Sequence, residues 1–216
     1  MQPEKLSQRY IWINPVVEAM AGSLYPAIQQ QITARGYTLV LCSSGLETVR
    51  QEYLQCLQAN VGRLTIDTRC PLVRSMIERD YPALKPYQAQ VLPILMVCAQ
   101  DLYEKYVKPS QSHADLTMVT PCSSLVELGN DKLGNVARFL TWIDFCREQK
   151  ISFGLPRATS SPIPPGYFRF PEYRILEASG PDAVKRLLDK TTIHTGDADL
   201  LELLYCDNGC HNGDGV

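Results

Sequence analysis

Short apolar runs alternate with longer stretches of helical spacing along the first two-thirds of the chain. Arg9-Tyr-Ile-Trp-Ile13 predicts a strand, and residues 16–35 repeat their apolar positions at helical intervals up to Gly36. Tyr37-Thr-Leu-Val-Leu-Cys42 predicts a second strand, delivered to the turn Ser43-Ser-Gly45. A helix over 46–59 leads to a third strand over 62–67. Pro71 stands at the first-turn position where proline opens a helix, here over 72–80. A long apolar helix over 87–106, with Pro93 near its first turns, precedes a fourth strand, Leu116-Thr-Met-Val-Thr120. Residues 133–150 predict one amphipathic helix.

Strands interleaved with helices imply an α/β fold of mostly parallel sheets with helical cover. Ligands of such sheets gather beyond the carboxyl ends of the strands. Downstream, the Pro-rich stretch between Phe153 and Phe170 predicts an irregular surface segment, either a lid or a passive connection. Arg174-Ile-Leu-Glu-Ala178 predicts a last strand, 181–190 a short helix opened by Pro181, and 197–204 leads into the tail.

The bulk numbers narrow the class. With 216 residues the chain is long enough for one well-buried core or two small lobes, and 1–110 and 111–216 are the expected lobes of a single domain. A net charge of −2 leaves no basic footprint, so nucleic acid is not an expected partner. No apolar run approaches the roughly 18 residues that span a bilayer. The first ten residues lack the apolar stretch of a secretory signal. The expectation is a cytoplasmic protein without membrane insertion, in a compartment where thiols stay reduced. Eight cysteines there point to metal binding or thiol chemistry before disulfides.

Four of the eight stand apart. Cys206 and Cys210 lie four apart in Tyr205-Cys-Asp-Asn-Gly-Cys-His-Asn-Gly-Asp-Gly-Val216, a tail too rich in Gly and Asn for regular structure. Glycine lets a backbone curl closely around a bulky ligand. Cys70 precedes Pro71 and Cys122 follows Pro121, each just after a predicted strand. Four thiolates brought together in this way would hold one [4Fe–4S] cluster, with structural zinc on four cysteines as the rival. Cys98 and Cys146 lie on predicted helix faces, where a free Cys packs as a small hydrophobe, and Cys56 reads as a plain helix residue. Cys42 ends a strand without a Pro or Gly-rich frame. His211 is expected as an exposed tail residue, and His113 and His194 fall in polar loops. No Ser-His-Asp arrangement, phosphate loop or dinucleotide fingerprint is present.

The motifs around these thiols resemble those of the catalytic domain of iron-only ([FeFe]) hydrogenases. The resemblance rests on Asp67-Thr-Arg-Cys-Pro71, on Pro121-Cys-Ser-Ser124, and on Glu202, Cys206, Gly209, Cys210, Asn212, Gly213 and Gly215 in the last motif. The Tyr81-Pro-Ala-Leu84 run and Ala34-Arg-Gly-Tyr37 extend it over most of the chain. It implies a [4Fe–4S] cluster held by Cys70, Cys122, Cys206 and Cys210, with Cys210 in the position that bridges to a two-iron centre carrying CO and cyanide. In that family the residue before the first cysteine is a second, proton-relaying cysteine; here it is Arg69, whose guanidinium cannot act as the relay. The lysine that donates to cyanide is replaced by Leu125, and two methionines of the same surroundings by Thr120 and Leu204.

The expectation is therefore an α/β, hydrogenase-like iron–sulfur protein whose cluster site lies at the carboxyl ends of the strands between two lobes. Its expected role is electron transfer or redox and gas sensing in a larger complex. The two-iron centre is not expected to be held, because its anionic ligands lose their donors. A divergent minimal hydrogenase and a cluster-assembly scaffold are the alternatives. The chain lacks the Cys-x-x-Cys-x-x-Cys runs of accessory clusters, so the resemblance implies a redox partner protein or a ferredoxin-like domain as electron source.

Overall fold

A computed structural model of the chain describes residues 7–110, 114–152, 160–191 and 197–216. In chain order the elements are β1 (Gln8–Ile13), α1 (Pro15–Ala21), α2 (Tyr25–Ala34), β2 (Tyr37–Leu39), α3 (Gly45–Ala59), β3 (Thr65–Ile66) and α4 (Pro71–Asp80). They continue with α5 (Ile94–Leu102), β4 (Ala114–Thr120), α6 (Ser123–Leu133), β5 (Arg138–Thr141), α7 (Trp142–Gln149), β6 (Ile175–Ser179), α8 (Pro181–Lys190) and β7 (Leu200–Leu204). Every strand pairing is parallel, so the α/β class with helical cover holds. The chain divides into two compact units, 1–45 with 95–159 and 213–216, and 46–94 with 160–212.

The first unit carries the sheet β2-β1-β4-β5. Its core packs Ile11, Ile13 and Val119 from the strands against Val17, Ile28, Ile32, Trp142 and Phe145 from the helices. β4 is buried at every residue but Asp115, as a central parallel strand covered on both faces should be. The last residues of the chain belong to this unit. Gly215 donates its N–H to the Pro121 carbonyl at 3.0 Å, and its own carbonyl accepts from the Ile143 N–H at 3.1 Å. A Cβ on Gly215 would come within 2.9 Å of Thr141 Cβ, so this close lacing requires glycine.

The second unit carries the sheet β3-β7-β6. Its core joins Ile66, Leu201 and Leu203 to Val73, Ile77, Val184 and Leu188. All five residues of β7 are buried, as befits the central strand.

Several expected boundaries shift for identifiable reasons. The helix expected over 16–35 breaks at Gly22, whose φ of 50° leaves the helical region, and restarts with Pro26 in the first turn of α2. The second strand stops at Leu39 because its ladder along β1 ends there, and Leu41 is exposed. The third strand shortens to Thr65–Ile66 after the turn at Gly62. The long helix over 87–106 starts only at Ile94, since Pro93 keeps the residue before it out of the helical region, and it ends in a π-turn over Tyr103–Val107.

The helix expected over 133–150 is corrected most. Residues 138–141 form β5, and a shorter helix, α7, follows. Pairing with β4 overrides the helical spacing, and Asn130 fixes the new path. Its side chain accepts from the Phe139 N–H at 3.1 Å and donates to the Phe139 carbonyl at 3.2 Å. The first part of the Pro-rich segment, 153–159, lies outside the described residues, as do His113 and His194.

Candidate functional site

Cys70 and Cys122 occupy equivalent places in the two sheets. Each follows a strand and stands as the N-cap of the next helix, Cys70 before α4 and Cys122 before α6. Pro71 at the first turn of α4 has no N–H to lose, which leaves the next amides free to point at the cap. The Cys70 sulfur accepts from the backbone N–H groups of Val73 and Leu72 and also from that of Tyr205. Burial pushes its thiol above the usual value, and these three donors work in the opposite direction. The Tyr205 contact brings Cys70 beside the residue that precedes Cys206. Cys122 is buried at 8% exposure.

Cys206 and Cys210 bound a turn that follows β7 directly. The Gly209 N–H donates to the Cys206 carbonyl at 3.2 Å, and Asn208 and Gly209 take φ values of 58° and 116°. Glycine is required at 209 on two counts: its φ, and a Cβ there would lie 2.9 Å from Ser161 Cβ. Asn212 donates to the Asp207 carbonyl at 2.7 Å and closes the turn. His211 is not an exposed tail residue. It is buried, with its Nε2 3.2 Å from Asn212 Nδ2 and its Nδ1 without a hydrogen-bond partner among the described residues.

Next to Cys70 lies a buried ionic network that spacing alone did not reveal. The Arg69 Nε donates to both Asp67 oxygens at 3.0 Å, and Nη2 reaches Asp67 Oδ2 at 2.7 Å and Glu202 Oε1 at 3.0 Å. Asp67 also accepts from the Tyr53 hydroxyl at 2.6 Å and from the Arg69 N–H at 2.9 Å. Glu202 accepts from the N–H groups of Tyr167 at 3.2 Å and Phe168 at 3.1 Å. The guanidinium carbon lies 4.0 Å from the centre of the Phe168 ring. Burial works against the Arg69 charge, but Asp67, Tyr53 and Glu202 outweigh it and hold the guanidinium above its ordinary value. Burial pushes the Glu202 carboxyl up, with the Arg69 charge and the Phe168 N–H opposing. The Asp67-x-Arg69 spacing and a Glu four residues before Cys206 were the available signals, but their convergence needs the fold.

Compared with solved structures, the chain is similar to [FeFe]-hydrogenase HydA1 from Chlamydomonas reinhardtii. A glutamate-to-glutamine variant of that protein aligns over 99% of this chain and 81% of its own, at a TM-score of 0.70 and 12% identity. An apo form with a cysteine-to-histidine change aligns over 99% and 80%, at 0.69 and 13%. The structure of HydA(deltaEFG), which reveals stepwise H-cluster assembly, aligns over 99% and 81%, at 0.65 and 13%. The likeness is one of fold. No family model matches the sequence, and no curated protein matches it.

The residues present fit a thiolate-held cluster in their donor chemistry. Cys70 offers a sulfur among backbone N–H donors, the surroundings that cluster sulfur atoms take. Two buried polar atoms close in sequence to the other thiols, Nδ1 of His211 directly after Cys210 and Oγ1 of Thr120 two residues before Cys122, have no partner among the described residues. Three or more His, Cys, Asp or Glu side chains do not gather, among the described residues, into a group that could hold a metal ion. A two-iron centre fits poorly. Arg69 spends its donors on Asp67 and Glu202, and Leu125 offers none.

Among the described residues no helix is long and apolar enough to cross a membrane.

Proposed function

We propose that this chain is a hydrogenase-like iron–sulfur domain that binds one [4Fe–4S] cluster through Cys70, Cys122, Cys206 and Cys210. Its role would be electron transfer or redox sensing with a partner protein that carries electrons. The observation that carries the reading is the Cys70 sulfur, set at the start of α4 and hydrogen-bonded to the Tyr205 N–H one residue before Cys206. A cluster of this type exchanges single electrons, with a potential set by burial and by hydrogen bonds to its sulfur atoms. Backbone donors on Cys70 favour the more negative, reduced state. The Arg69 charge is taken up by Asp67 and Glu202, and its guanidinium supplies no exchangeable proton at working pH. This favours electron exchange over hydrogen turnover.

The test is iron and acid-labile sulfide content of anaerobically purified protein, with infrared spectra of the same sample. The expected result is about four irons and four sulfides per chain, without bands from bound CO or cyanide. Those bands would replace the proposal with a hydrogenase. One zinc and no sulfide would replace it with a structural metal site. Iron content unchanged in Cys122→Ala or Cys206→Ala would overturn the ligand set.

A further inference from the structure

Cys98, expected as a packing residue, meets Cys42 in the first unit. The two side chains hydrogen-bond to each other. Both sulfurs crowd the start of α3, where a Cβ on Gly45 would stand 2.4 Å from Cys98 Sγ and 3.4 Å from Cys42 Sγ. Glycine at 45 is what lets the two thiols share this space. Cys42 lies 3.6 Å from Ser44 Oγ and 3.7 Å from Asp101 Oδ2, and it accepts from the Gly45 N–H. Ser44 also donates to Asp101 at 3.2 Å. The two cysteines differ in access: Cys42 is half-buried, whereas Cys98 in α5 is 2% exposed. Among the described residues no third side chain completes a metal-holding group. A dithiol without a metal is suited to redox exchange.

We propose that Cys42 and Cys98 form a thiol–disulfide exchange site for small disulfides of the glutathione type, with Cys42 attacking and Cys98 resolving. The Cys42 thiolate attacks one sulfur of oxidised glutathione. The glutathione S–S bond breaks, a mixed disulfide forms on Cys42, and the departing thiolate takes a proton from water. The Cys98 thiol then gives up its proton, with Asp101 and water as the available acceptors. Its sulfur attacks Cys42 Sγ, closes the Cys42–Cys98 disulfide and expels a second glutathione. The protein loses two electrons, and one oxidised glutathione becomes two reduced ones.

The local charges divide the roles in this sense. The Cys98 hydrogen bond, against burial, together with Ser44 and the Gly45 N–H and against Asp101, lowers the Cys42 thiol to about 6. The hydrogen bond with Cys42 and burial push Cys98 up, so the proton stays on the buried partner until the second step. At pH 7 such a Cys42 is ~90% thiolate, about ninety times the fraction of a thiol at the reference value of 9.0. A thiolate of low pKa is also a weaker nucleophile, by ~20-fold over three units. The net advantage in alkylation rate is roughly fourfold.

The experiment exposes the reduced full chain to oxidised and reduced glutathione, quenches it with acid, alkylates it and maps the peptides by mass spectrometry. The expected product joins Cys42 to Cys98, and Cys98→Ser should instead accumulate glutathione on Cys42. Iodoacetamide at pH 7 should label Cys42 at least about four times faster than Cys56, another half-buried cysteine, whose thiol burial raises. Glutathione absent from Cys42 in Cys98→Ser, or Cys42 paired with another cysteine in the unmutated chain, would overturn the proposal. The unmutated chain provides this readout even where Cys98→Ser folds poorly. Neither outcome depends on iron content, so this site and the cluster stand or fall separately.

Discussion

Arg69→Met should be the most damaging single change in the second unit. It leaves Asp67 and Glu202 facing each other at 0% and 1% exposure without their shared cation. Breaking a buried ion pair by removing one partner costs about 3–5 kcal/mol. The stack on Phe168 adds to the loss, and methionine recovers part of that packing. For a chain of this size the loss corresponds to a drop in Tm of roughly 6–20 °C.

The loss should also depend on pH. Burial already raises the Glu202 carboxyl above 4.5, and without Arg69 it rises further. A carboxyl whose folded pKa exceeds its unfolded one binds its proton more tightly when folded. Its stability contribution is therefore full below the unfolded pKa and falls as pH rises toward the folded one. Each unit of added shift amounts to about 1.4 kcal/mol, so the variant should be hurt more at pH 7.5 than at pH 5. Urea unfolding followed by far-UV circular dichroism is the assay, because Trp12 and Trp142 both lie in the first unit. Adding Asp67→Asn and Glu202→Gln to Arg69→Met should restore most of the loss, since no uncompensated charge is then buried. A loss under ~1 kcal/mol at pH 7.5, or a triple variant weaker than the single one, would refute the network's structural role.

Two further substitutions test how the first unit is packed. Gly129→Ala places a Cβ 2.6 Å from the ring of Phe139, so overpacking of about 1–3 kcal/mol should exceed the ~1 kcal/mol gained in helix propensity. Urea unfolding followed by Trp fluorescence should show a net loss, and a gain would mean the ring moves freely. Asp214 accepts the N–H and the hydroxyl of Ser123 at the start of α6, so Asp214→Ala should cost about 0.5–2 kcal/mol. Burial works to raise the Asp214 carboxyl, but the two Ser123 hydrogen bonds prevail and hold it below 3.8. Its contribution is thus present above that value and lost as pH falls below it. A stability gap equal at pH 7 and pH 2.5 would contradict this.

Much of the fold is legible where local chemistry and tertiary structure agree. Pro71 and Pro181 open the helices they were expected to open, and Gly36, with a φ of 80°, closes the run before β2. The misreadings fall where pairing decides. Residues 138–141 carry helical spacing, yet β4 offers a free edge and Asn130 a bracket for Phe139, so they extend. The thiols divide in the same way. Cys70 and Cys122 reveal themselves through an adjoining proline after a strand, a local mark that survives into the N-cap positions. Cys98 carries no such mark, because its partner lies 56 residues earlier in the sequence and only the fold brings α5 against the start of α3.

Arg69 shows why one residue must be read with its surroundings. In the sequence, under the hydrogenase resemblance, arginine there means only the absence of a relaying thiol. In the fold it is the centre of a network in which Asp67 and Glu202 come from opposite ends of the second unit's sequence. Its guanidinium spans two carboxylates, which lysine, with one compact ammonium, could not match. A site that needed a mobile proton would gain nothing from so immobile a donor. A site that needs only a thiolate cluster and a rigid frame gains a β3-to-β7 tie beside Cys70. Arg69 turns its donors toward Asp67 and Glu202, and Leu125 has none to offer. The proposed electron-transfer role asks of this frame only thiols and an immobile charge network, and no mobile proton.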